Sequence, residues 1–83
     1  MSSLSPLTIF LRSLPARTPE IELSLAQIAR IIDDSLFPSA YEYVDWWTND
    51  PAHPQANAWL NAGWQVTRVD LKRKTVNFGR MSG

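Results

Sequence analysis

Apolar residues recur at helical spacing through the first two thirds of the chain and at strand spacing near its end. Leu7, Phe10, Leu11 and Leu14 fall at i, i+3, i+4 and i+7, which is one face of a short helix. Ser5-Pro6 starts that helix, because a proline at the first helical position has no amide hydrogen to leave unpaired, and Pro15 ends it. Glu20 to Ser24 alternates polar and apolar, the pattern of a half-buried strand. Ser24 with Gln27 forms a capping box, and Leu25, Ile28, Ala29 and Ile32 make the apolar stripe of the helix it opens. Asp33 and Asp34 oppose the negative end of a helix dipole, so this helix stops there. Neighbours on a helix point about 100° apart, which makes the two aspartates a solvated helix end rather than a carboxylate pair. A second box, Ser39 with Glu42, predicts a helix that turns Ala40, Tyr43, Val44 and Trp47 inward. Two capped helices joined by a short turn form a helix-turn-helix-like pair.

Asn49-Asp50-Pro51 breaks the second helix of the pair. Pro54 starts a third helix that carries Ala56, Trp59 and Leu60 inward. Gly63 closes it in the left-handed conformation. The outward residues of this helix are Gln55, Asn57, Asn61 and, in part, Ala58. Trp64 to Leu71 reads as a strand, Lys72-Arg73-Lys74 as a turn and Thr75 to Phe78 as the hairpin partner, with Gly79 to Gly83 a frayed end. The early strand needs partners, and the C-terminal hairpin supplies them. The expected architecture is one α+β domain over residues 1–83, short helices packed on a small antiparallel sheet. Its element order is that of a winged helix-turn-helix domain with one extra short helix before the wing.

The stretch from Trp46 to Phe78 resembles a family of small uncharacterised bacterial and phage domains. The residues that carry the resemblance are Trp46, Trp47, Asn49 and Asp50, then His53, Gln55, Ala56, Ala58, Trp59, Leu60, Ala62, Gly63 and Trp64, then Val69 to Leu71, and finally Val76 and Phe78. It implies a shared fold and brings no activity with it.

Composition narrows the chemistry. The chain has 83 residues, 45% of them hydrophobic and 19% charged, enough for one globular domain and not for two. Four tryptophans supply large burial per residue, which a core this small needs. Trp47, Trp59 and Trp64 read as core, and Trp46 as an edge ring that can cover a pocket or offer a stacking face. The absence of cysteine excludes disulfides and thiolate metal sites and suits a reducing, cytoplasmic compartment. Ser5, Pro6 and Arg12 interrupt the N-terminal apolar residues, so no secretory signal is expected, and no run reaches the length of a membrane span. His53 is the single histidine, too few for a metal site, and is assigned to loop hydrogen bonding or to capping the third helix. With no phosphate-cradling glycine loop and no activated nucleophile, neither an enzyme nor a cofactor is expected.

Net charge is zero but unevenly spread. Residues before Val66 carry −4; from Val66 onward Arg68, Lys72, Arg73, Lys74 and Arg80 against Asp70 give +4. The first functional expectation is therefore a non-enzymatic nucleic-acid-binding module. Gln55, Asn57 and Asn61 face the bases, since asparagine and glutamine pair bidentately with adenine, while Arg68, Lys72, Arg73, Lys74 and Arg80 hold phosphates. The alternative is a small protein-interaction or inhibitor domain. It would use Tyr41, Trp46, His53 and the loop from Asn49 to Pro54 as an aromatic patch.

Overall fold

A computed structural model describes residues 4–81. Helices α1 (Ser5–Ser13), α2 (Leu25–Ile32), α3 (Pro38–Glu42) and α4 (Asn57–Leu60) lie against a sheet of β1 (Glu20–Ser24), β2 (Trp64–Asp70) and β3 (Thr75–Arg80). The sheet is antiparallel in the order β1-β3-β2, so the early strand does pair with the C-terminal hairpin. The class is α+β, as the periodicities predict. Among the described residues no helix is long and apolar enough to cross a membrane.

Register explains which sheet face is covered. Residues directly opposite in an antiparallel pair point to the same side. Ile21, Phe78 and Val66 make one inner row, and Leu23, Val76 and Val69 the next. Leu7 and Leu11 of α1 and Leu25, Ile28 and Ile32 of α2 bury against these rows together with Trp47, Trp59 and Trp64. The other face carries Glu20, Glu22, Gln65, Arg68 and Asn77, of which Glu20, Glu22 and Arg68 are exposed. A bulge at Thr67 interrupts β2, and the Thr67 methyl lies 2.9 Å from where a Cβ on Gly79 would stand. Glycine at position 79 is what allows the bulge to fold over β3.

The capping box on α2 forms in both directions: Gln27 N–H donates to Ser24 Oγ at 3.0 Å, and Ser24 N–H to Gln27 Oε1 at 2.8 Å. Asp33 ends the helix in the left-handed region, φ 55°. Gly63 is likewise left-handed at φ 83°, and open space surrounds the position of its missing Cβ. Backbone freedom, not packing, requires glycine there.

Three expectations are corrected. No capping box forms at Ser39, because Pro38 takes the first helical position and moves the start two residues upstream, with Phe37 at the N-cap. The helix lasts a single turn: Tyr43 is extended (φ −124°, ψ 120°), and a separate 3-10 turn, Val44–Trp47, follows. This break resets the helical phase, so Ala40 and Trp47 are buried while Tyr43 and Val44 face solvent. Second, Ala58 is buried rather than outward, because α1 packs against α4 and Thr8 Oγ1 donates to the Ala58 carbonyl at 2.6 Å. Third, the C-terminus is not frayed at Gly79. Strand β3 runs through Arg80, and Met81 N–H donates to the Gly63 carbonyl at 3.0 Å. Ser82 and Gly83 lie outside the described residues.

Candidate interaction surface

The cations expected to hold phosphates do not form one group. Lys72, Arg73 and Lys74 are exposed at the hairpin tip, shaped by an Arg73 N–H bond to Asp70 Oδ1 at 3.0 Å and by Lys74 at φ 58°. Among the described residues no hydrogen bond or ion pair engages these three side chains. Arg68 is exposed on the open sheet face, opposite Asn77. Arg80 is committed elsewhere. Its guanidinium donates to the carbonyls of Thr18 (2.7 Å), Pro15 (2.7 Å) and Leu14 (3.1 Å) and stacks over the Trp64 ring at 4.5 Å. It ties the α1–β1 loop to the end of β3, and its donors face protein.

Of the amides expected to read bases, Asn57 and Asn61 come together and Gln55 does not. Gln55 Nε2 donates to the Trp46 carbonyl at 3.0 Å. Asn57 and Asn61 line a groove of about 190 Å³ with Leu4, Ser5, Thr8, Pro54 and Ala58, and the Asn61 carbonyl accepts from Arg12 at 3.1 Å. Asn61 stands three residues before β2, and the basic tip follows the far end of that strand. Seven strand residues separate them, roughly 20 Å by strand rise. Adjacency in sequence does not become adjacency in space.

What gathers instead is apolar. Six large apolar side chains are exposed among the described residues, and four of them, Phe37 (57%), Tyr41 (39%), Tyr43 (60%) and Val44 (56%), lie within eight consecutive positions. Phe37 also joins Leu4, Trp46, Pro54 and Gln55 around a groove of about 390 Å³. Trp46 is half-buried, as an edge ring should be, with its centroid 4.6 Å from Trp47 at 71°. Trp47 stacks on Trp59 at 5.7 Å, and Trp59 meets Phe78 edge-on at 5.8 Å. The groove wall is thus the outer end of a continuous aromatic row that runs into the core. Periodicity missed Phe37, Tyr43 and Val44, since an unbroken helix would have turned two of them inward. Pro38 signals the helix start at the first position, but nothing in the sequence marks the extended Tyr43 that ends it.

The loop from Thr48 to Pro54 is held by its own polar groups. Asp50 Oδ1 accepts from Ala52 N–H at 2.9 Å, and the Asp50 carbonyl accepts from His53 N–H at 2.9 Å. The His53 side chain is exposed and makes neither of the bonds expected of it, within the loop or as a cap on the turn that Pro54 starts. Asn49 does more than end a helix. Its Oδ1 accepts from Trp59 Nε1 (3.0 Å) and Val66 N–H (2.8 Å), while Nδ2 donates to the Val66 carbonyl (2.8 Å). The amide thus pairs with edge strand β2 as a neighbouring strand would, and it satisfies the core indole as well. Asn49→Ala should cost about 2 kcal/mol in urea denaturation, chiefly from the unpaired Trp59 N–H. Asn49→Asp should cost less than alanine, because it keeps the acceptor for Trp59 and Val66 N–H. An unchanged midpoint for the alanine variant would contradict this role.

Among the described residues, no three of His, Asp and Glu gather where they could hold a metal ion. No curated protein and no solved structure gives a significant match to the chain. The sequence model of the family described as Domain of unknown function (DUF7662) matches residues 5–81, nearly the whole chain. The chain belongs to that family.

Proposed function

We propose that the domain is a protein-docking module whose contact surface is the apolar segment 37–46 and the groove beside it. The observation that carries this reading is that Phe37 and part-buried Trp46 line one groove while Tyr41, Tyr43 and Val44, in the same short segment, are also exposed. Large apolar side chains left in water cost solubility, and aromatic anchors of this kind dominate protein interfaces. The side chains bury little in the free domain, so they can be removed without unfolding it. Phe37→Ser combined with Tyr43→Ser should change stability by no more than about 0.5 kcal/mol per site. The same double variant, used as bait against extract of the native host, should lose a partner that wild type retains after nuclease treatment. Equal capture by both proteins would refute the docking surface.

A second reading keeps the hairpin as a wing on nucleic-acid phosphates, favoured by the exposed, unengaged side chains of Lys72, Arg73 and Lys74. With Arg80 committed to three carbonyls, at most Arg68 adds to them. Alanine at each of the three tip positions should reduce the salt slope of binding by about 0.9 per lost contact. Absence of any binding to duplex, single-stranded DNA or RNA at low salt would eliminate this reading.

A further inference from the structure

The charges around the aromatic segment specify what it takes. Between Ile31 and Thr67 the chain has five acids, Asp33, Asp34, Glu42, Asp45 and Asp50, and not one lysine or arginine. All five are exposed. Glu42 lies between Tyr41 and Tyr43, and Asp45 directly precedes Trp46, so carboxylates alternate with the apolar contacts themselves. From the chemistry of that surface we infer that the partner is a basic protein segment with a bulky apolar side chain. This rests on the docking reading above. The apolar anchor enters the groove of Phe37, Trp46 and Pro54, and flanking lysines or arginines meet Glu42 and Asp45. An acidic segment or a nucleic-acid backbone would meet like charge at Glu42 and Asp45.

A second copy of the chain offers a basic element, the hairpin tip, but a poor occupant. Lys72-Arg73-Lys74 brings cations without a bulky apolar side chain between them. A tip-in-groove contact is also head-to-tail, and unless its rotation closes a ring it generates open filaments.

Phage-displayed random linear peptides, selected on the whole wild-type chain and counter-selected on the Phe37→Ser/Tyr43→Ser variant, test the inference. Enriched peptides should pair a tryptophan, phenylalanine or leucine with lysine or arginine. Their affinity should fall on the order of tenfold for Glu42→Lys/Asp45→Lys, with less difference at high salt. Circular dichroism and a melting curve on each variant keep folding separate from binding. Peptides that need Phe37 and Tyr43 but carry no cations would overturn the partner's chemistry and leave the docking surface standing. Enrichment of peptides that bind wild type and the Phe37/Tyr43 variant alike, or no enrichment, would overturn both. A wild-type dimer in sedimentation that dissociates in the Phe37/Tyr43 variant would replace the basic partner with a second copy.

Discussion

Trp59→Ala should destabilise the domain by about 3–5 kcal/mol, the range for deleting a fully buried aromatic ring. Trp59 has no solvent exposure and sits at the crossing of two contacts, stacked on Trp47 and edge-on to Phe78. Its removal opens a cavity between α4 and the sheet and strips Asn49 of one of its partners. A chain this short has total stability on the order of 5–10 kcal/mol, so the loss takes a large part of it. The melting temperature should fall by at least about 12 °C. Trp46→Ala should cost no more than about half as much, since that ring is partly exposed at the edge of the core. Equal losses for the two variants would mean that Trp46 belongs to the core, and the groove beside it would lose its standing as a surface.

Arg80→Ala is expected to cost about 3 kcal/mol, the largest effect of any charged residue in the chain. Hydrogen bonds from a charged donor are worth about 1.5–3 kcal/mol each when protected, and partial exposure together with shared geometry reduces the sum of three. The flat contact with Trp64 adds about 0.5–1 kcal/mol. Lysine should recover little. An ammonium cannot span the carbonyls of Leu14, Pro15 and Thr18 or lie flat on the indole. Urea denaturation measures the cost, and hydrogen exchange at Thr18, whose N–H donates to the Pro15 carbonyl at 2.9 Å, reports whether the loop opens. An Arg80→Ala variant as stable as wild type would return that side chain to the pool of cations available for a ligand.

The regular elements were legible because each carried its own boundary signal. Ser24 and Gln27 start α2, and alternation with a turn between defines β2 and β3. The lone strand β1 could be paired by elimination, and its partner β3 is the one the topology provides. What failed was the assumption that a periodic run stays in phase. Ala40, Tyr43, Val44 and Trp47 have helical spacing, but one extended residue at Tyr43 rotates everything after it. The extended backbone there turned two expected core residues, Tyr43 and Val44, into exposed surface. The cations failed for another reason. Sequence counts charge but not engagement, and Arg80 looked equivalent to Lys72 until its three carbonyl partners were located.

Hydrogen exchange on the whole chain, free and saturated with the partner that the wild-type protein retains after nuclease treatment, tests the docking surface most directly. Protection should concentrate at residues 37–46 and at the Pro54 turn, with the hairpin tip at 72–74 exchanging as it does in the free domain. Protection confined to the tip, with residues 37–46 unchanged, would contradict the account and give the partner to the basic hairpin instead.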